Sequence, residues 1–187
     1  STHLNGASVM VYFGQEVGEA ARENAGFGSP TRTSIFDYIG VPAHQRWVNG
    51  KHYDGGALTP EEAALREYYC RLLNLPIVGA FRNIHQYNRA YTPYYNDKVY
   101  SFVRETVQEK WLVIANFSKR DGFGFELQIP PELLSTWDLP DGTYPLTDEL
   151  YGEVQTHFHY TDSYGRMRVD IAPLQTLFFK LQVKSEK

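Results

Sequence analysis

The chain has 187 residues but only one cysteine and two methionines. With Cys70 alone there is no disulfide framework, and cysteine usage leaves the redox compartment open. No stretch approaches the ~18 apolar residues of a membrane span, so no membrane partner is expected. Positive charge is in deficit: Lys and Arg number 18 against 22 Asp and Glu, for a net charge of −4. A nucleic-acid binder needs a basic face, so that class is set aside. There is no GxxxxGK[ST] loop and no dinucleotide fingerprint, and the sequence implies no cofactor. GFGFE at 122–126 reads as a strand entry rather than a phosphate cradle. Residues 1–6, STHLNG, lack the basic start and apolar stretch of a signal peptide.

What is present is ordinary globular composition with an aromatic surplus. Hydrophobic residues make up 42% and charged residues 21%, while aromatics reach 15% with 14 Tyr. Two uses of tyrosine stay open: filling a β core, or stacking on sugar rings.

The order of elements predicts a mainly β protein in two parts, residues 1–80 and 81–187. Residues 9–13, VMVYF, form a near-continuous apolar run ended by Gly14, the pattern of a strand covered on both faces. A loop is expected over 18–58, punctuated by GFGSP, GVP, NG and DGG. A helix follows over 59–74. Thr59 is its N-cap, Pro60 its first position, and Glu62 completes a capping box. Leu65, Tyr68, Tyr69, Leu72 and Leu73 give its apolar stripe, among which Cys70 reads as a buried structural thiol. Strands are expected at 99–104, 111–117, 123–129, 154–160, 167–171 and 176–183. Lys119 to Gly122 and Asp141-Gly142 read as hairpin loops, and Pro130-Pro131 as a ladder break before a short turn. Short strands at ~8–12-residue spacing suggest an antiparallel, Greek-key-like β-sandwich. Its core is expected from Val99, Phe102, Trp111, Val113, Leu127, Ile129, Leu177 and Phe179.

Residues 9–19, VMVYFGQEVGE, resemble the eighth-strand segment of the α-amylase family, glycoside hydrolase family 13. That segment typically runs Gly-x-Pro, an apolar stretch, then Gly-x-Glu. Gly14 and Glu16 match, whereas residues 6–8 read Gly-Ala-Ser and the Pro is absent. RTSIFDY at 32–38 resembles the segment lining the mouth of the sugar cleft. VYSFVRE, WLVIANFS, YPLTDELYGE and DIAPLQTLFFKL then follow in the order of the family's C-terminal β-sandwich. The resemblance implies that residues 1–80 are the last βα unit of a (β/α)8 barrel and 81–187 the C-terminal sandwich. It also implies that the nucleophile Asp, the acid/base Glu and a third Asp lie upstream of residue 1, as would a targeting signal. The parent would be secreted or periplasmic, although no residue here assigns a location.

Retaining glycosidases need two carboxylates about 5–5.5 Å apart. Glu16, Glu19, Glu23, Asp37 and Asp54 are the acids of the first part, and only Glu16 and Glu19 could meet, on a helical turn. No catalytic residue is assigned, and the chain alone is expected to be inactive. Glu16, Arg32, Asp37 and Trp47 are candidates for the rim or support of a substrate cleft. Glu16 would ion-pair at the rim or touch sugar, and Arg32 would orient a carboxylate or a hydroxyl through its planar fork. Phe27, Phe36 and Tyr38 are further loop aromatics, and Phe36 reads as an anchor. His157 and His159 share a strand face, yet two ligands make no metal site, and none is expected.

The main expectation is therefore the C-terminal region of a retaining enzyme acting on α-glucans such as starch. The alternative is a freestanding, non-catalytic polysaccharide-binding sandwich; a third class is an assembly domain without glycan contact. An exposed barrel fragment would tend to self-associate through residues 9–13 and the helix face.

Overall fold

The computed structural model describes residues 8–19 and 41–182. The chain divides into two compact units at Asn74/Leu75. Residues 75–80 lie in the second unit, because Ala80 opens a strand there.

In the first unit, residues 9–13 are not a strand. Val9 is 47% and Met10 87% exposed. A strand needs a neighbour for its N–H and C=O groups, and an apolar run does not say whether one exists. The chain turns instead. The Tyr12 N–H donates to Gln15 Oε1 at 3.2 Å and the Tyr12 carbonyl accepts the Gln15 N–H at 2.9 Å. A 3₁₀ turn over Gln15–Val17 follows, between Gly14 at φ 75° and Gly18 at φ 68°. A Cβ on Gly14 would lie 2.6 Å from the Glu19 Cβ, so glycine is required there.

The expected loop over 18–58 contains helix α1 (Pro42–Val48). Pro42 supplies its first position, and Asn49, in the left-handed region, ends it. The Asn49-Gly50 pair is thus a helix stop rather than a loop marker. Helix α2 (Pro60–Asn74) carries the expected capping box. The Glu62 N–H donates to Thr59 Oγ1 at 3.3 Å, and the Thr59 N–H donates to Glu62 Oε2 at 3.0 Å. Leu72 is buried and Leu65, Tyr68 and Tyr69 are half-buried, but Leu73 and Cys70 are exposed. At about 100° per residue, Leu73 and Cys70 rotate off the stripe that the other four define. Cys70 is therefore not a buried thiol.

The second unit is an antiparallel β-sandwich. One sheet has the order β1 (Ala80–Asn83), β2 (Val99–Glu105), β3 (Glu109–Asn116), β8 (Thr176–Gln182). The other has the order β4 (Phe123–Ile129), β7 (Tyr164–Ile171), β6 (Gln155–Thr161), β5 (Gly142–Thr147). Three hairpin-linked strands with β4 beside the last of them make a Greek key. The Lys119-to-Gly122 loop is not a hairpin: it carries the chain from β3 in one sheet to β4 in the other. Gly142 likewise opens β5 rather than turning a hairpin, and Pro145 is tolerated there because β5 is an edge strand. The tight two-residue turn is Asp162-Ser163, with φ of 50° and 65°, between β6 and β7. Asn116 latches the crossings, its Nδ2 donating to the carbonyls of Asp121 at 2.8 Å and Ala172 at 2.9 Å.

Val99, Val103, Leu112, Ile114, Leu177 and Phe179 of the first sheet meet Phe125, Leu127, Ile129, Phe158, Met167 and Val169 of the second. Phe102, Trp111 and Val113 are buried as expected, but register puts them on the other face of the first sheet, with Phe178. Two further helices complete the unit: α3 (His85–Tyr91), which the sequence did not signal, and the single turn α4 (Pro131–Leu134).

Candidate functional site

The residues proposed for a cleft rim fall in the first unit. Arg32 and Asp37 lie outside the described residues, as do Glu23, Phe27, Phe36 and Tyr38. Glu16 and Trp47 are described, and one residue that the sequence reading missed connects them. Arg66 of α2 brings its Nη1 to 3.9 Å from Glu16 Oε1, while its Cζ sits 4.8 Å over the Trp47 ring. Arg66 follows Leu65 on α2, so periodicity marks it as an ordinary flank of the apolar stripe. Only the fold reveals that it bridges the 3₁₀ turn to α1.

Trp47 is half-buried and sits among other rings. His44 lies 5.8 Å and Tyr53 6.1 Å from it, and His44 in turn stands 4.4 Å from Phe13. The Trp47 carbonyl accepts the Gly55 N–H at 3.0 Å, which folds the 49–58 turn back on α1. Asp54 closes that turn. Its Oδ1 accepts the Asn49 side-chain amide at 2.8 Å and the Gly56 N–H at 2.9 Å, and those bonds hold the carboxyl below the usual range.

The helical turn that would bring Glu16 and Glu19 together does form, but the two carboxylates serve different partners. Glu16 faces Arg66, whereas Glu19 Oε2 accepts the His44 N–H at 3.1 Å. Glu62 is committed as well. Arg46 grips it bidentately along one guanidinium edge, Nε to Oε2 at 2.9 Å and Nη2 to Oε1. The Arg46 hydrogen bonds and the Thr59 N–H hold the Glu62 carboxyl down at about 2. These acids brace the unit through their partners, and Asp54 and Glu62 are held below the ordinary carboxylate range by their hydrogen bonds.

The sandwich has an open end lined by both sheets. There a cleft of about 1610 Å³ is bounded by Arg82, Glu105, Lys110, Trp137, Tyr144 and Lys180 among others. Its wall is a satisfied network. Glu105 accepts Arg82 Nε at 2.7 Å and the Trp137 indole N–H at 2.8 Å. Lys110 is buried and donates to the Thr106 and Val107 carbonyls, and burial lowers its pKa. Trp137 is itself fully buried and offers no ring to a ligand. His157 and His159 are exposed on β6, their rings stacked 6.2 Å apart, with His159 Nδ1 3.0 Å from Thr143 Oγ1. Among the described residues no cluster of three or more His, Cys, Asp or Glu could hold a metal ion, and no helix is long and apolar enough to cross a membrane.

No family model matches the chain, and no curated protein matches it. Solved structures do. A variant of AmyP in complex with maltotriose aligns over 70% of this chain at 17% identity with a TM-score of 0.46. An α-amylase of Anoxybacillus, described with a new glycosyl hydrolase subclass, aligns over 71% at 16% identity with a TM-score of 0.39. The chain spans about a quarter of the length of each: 24% of the first and 27% of the second.

Proposed function

We propose that this chain is the C-terminal region of a retaining, α-amylase-type glycosidase that cleaves α-glucosidic bonds of starch and maltooligosaccharides. The catalytic carboxylates would be supplied by a portion upstream of residue 1. The ordered resemblance of segments 9–19, 32–38 and 99–181 is the starting point. The observation that carries the reading beyond a freestanding module is the asymmetry of the sandwich. The outer face of the second sheet is polar, with Glu126, His157, His159, Arg166, Arg168 and Asp170. The outer face of the first sheet carries Phe81, Phe102, Trp111, Val113 and Phe178. Phe102, Trp111, Val113 and Phe178 are buried in this chain, so this face is a covered layer, whereas a freestanding antiparallel sandwich commonly leaves its outer faces solvated and polar.

In this reading Glu16 and Trp47 are supports at the barrel rim that act through Arg66, and Arg32 and Asp37 are rim groups nearer the sugar. The motif segments of the sandwich support the same assignment. Asp148 of YPLTDELYGE is buried. Its Oδ1 accepts the Phe178 N–H at 2.9 Å and its Oδ2 the Tyr151 N–H at 3.0 Å, so it ties that segment to LFFKL in β8.

The sequence encoded ahead of Ser1 tests the proposal. An Asp and a Glu at the ends of successive strands, followed by Asn-His-Asp, is the expected result. An upstream sequence without those carboxylates overturns it.

A further inference from the structure

The cleft at the open end of the sandwich is closed in hydrogen bonds but not in charge. Arg82, Glu105 and Lys110 meet on its wall. Glu105 and Lys110 stand opposite each other on β2 and β3 and so share one face. Both oxygens of Glu105 are taken, Oε1 by Arg82 Nε at 2.7 Å and Oε2 by the Trp137 indole N–H at 2.8 Å. Lys110, only 3% exposed, is left with the neutral carbonyls of Thr106 and Val107. Donation to two carbonyls beside the Glu105 charge favours its ammonium form. An ammonium carries three donors, so one has no partner among the described residues.

Two cations therefore share one carboxylate, and the network is short of one anion. The other charged groups lining the cleft do not supply it. Lys180 is paired with Glu109 at 2.7 Å, and Asp138 and Glu149 are exposed, where water and salt screen them. A buried cation without a counter-ion is costly, so an incoming anion gains more here than on the open surface. A single negative charge balances the network, whereas a dianion would bring a second charge with nothing to meet it. Beyond the charges the walls are apolar. Leu139, Leu146 and Leu181 line the cleft, and Val107, 88% exposed, stands on the hairpin at its mouth. At about 1610 Å³ the space admits an apolar body behind a charged head.

We propose that this cleft binds a monocarboxylate with an apolar tail, its head completing the Arg82–Glu105–Lys110 network and its tail lying along Leu139, Leu146 and Val107. The head accepts from Lys110 Nζ and from the Arg82 guanidinium, of which only Nε is committed among the described residues. The site lies wholly within the second unit and uses no residue assigned to the sugar cleft. It stands whether or not catalytic carboxylates are encoded upstream.

Titration calorimetry of the full chain with octanoate tests this, with octanamide and acetate as further arms. Saturable binding of one octanoate per chain is expected. Octanamide has the tail without the charge and acetate the charge without the tail, so each should bind about tenfold more weakly or worse. Lys110→Met keeps the buried stem and removes the charge. It should weaken octanoate about tenfold and leave octanamide unchanged. Arg82→Gln and Val107→Asp sit at exposed positions and decide the matter where the Lys110 variant does not fold. Each should weaken octanoate about two- to fivefold, the first by removing a donor and the second by setting a like charge at the mouth. Glu126→Gln, on the outer face of the second sheet, should change nothing. Circular dichroism checks that each variant is folded. Absence of saturable octanoate binding, equal binding of octanamide or acetate, or octanoate affinity unchanged in the folded variants overturns the site.

Discussion

Asn88 pairs with the backbone of Gln128 as if it were a strand residue. Its Oδ1 accepts the Gln128 N–H at 2.8 Å, and its Nδ2 donates to the Gln128 carbonyl at 2.8 Å. The same amide also bonds the Ile84 carbonyl at 2.9 Å and the Thr92 hydroxyl at 2.7 Å. One buried side chain therefore satisfies an edge position of β4 and fastens α3 to it. Asn88→Leu leaves several polar groups without partners and should cost about 2–4 kcal/mol. Urea unfolding measures it, and a loss below about 1 kcal/mol would show that water replaces the amide.

The Arg46–Glu62 pair makes the stability of the first unit acid-sensitive. The folded Glu62 carboxyl is held at about 2, below its ordinary value of 4.5. Its contribution is complete above pH ~4.5 and is lost as pH falls towards ~2. Arg46 is partly exposed, so solvent screening limits the effect to about 1 kcal/mol. Helical ellipticity should fall over that window. Glu62→Gln should lower it at neutral pH and flatten the acid transition.

The isolated chain should not turn over starch, maltooligosaccharides or an activated α-glucoside. Glu16 is bound to Arg66, Glu19 to the His44 N–H, and Glu62 to Arg46. Turnover that disappears in Glu16→Gln would make Glu16 a catalyst and contradict this account.

Val9 and Met10 expose apolar surface beside the half-buried Phe13. Self-association through this segment is the expected outcome. Static light scattering should give a mass that rises with concentration, and Met10→Glu should bring it towards the monomer. A monomer mass at every concentration refutes it.

Residues 75–187 should fold as a cooperative unit. Ala80 to Asn83 pair with Glu105 to Phe102, so a cut at 84 would strip an edge strand from the sheet. Thermal melting of 75–187 should be a single transition at higher temperature than that of 84–187.

The sandwich was legible because apolar and polar residues alternate at period two between turn residues, as in β7, where Met167, Val169 and Ile171 are buried and Arg166, Arg168 and Asp170 exposed. Helix α3 was not, because its stability resides in the amide of Asn88 and a partner forty residues away rather than in an apolar stripe. The strand expected at 9–13 failed for the converse reason: hydrophobicity was present, and among the described residues no strand pairs with it. Glu16 and Trp47 were singled out by motif and residue type. Arg66, which joins them, carried no local signal, since a cation on a helix flank is commonplace.

The Asn116 latch has a kinetic meaning. Its two acceptors belong to segments far apart along the chain, and Ala172 lies 56 residues beyond it. Strands β5, β6 and β7 can zip through their hairpins using local encounters alone. The second bond from Asn116 can form only after β7 has returned beside β4, so it marks the moment when the whole topology closes. Closing a loop of that length is an entropic toll met late, after the local strands are in place. Removing the amide should then hasten unfolding far more than it slows folding, and the chain would open first where it crosses between sheets.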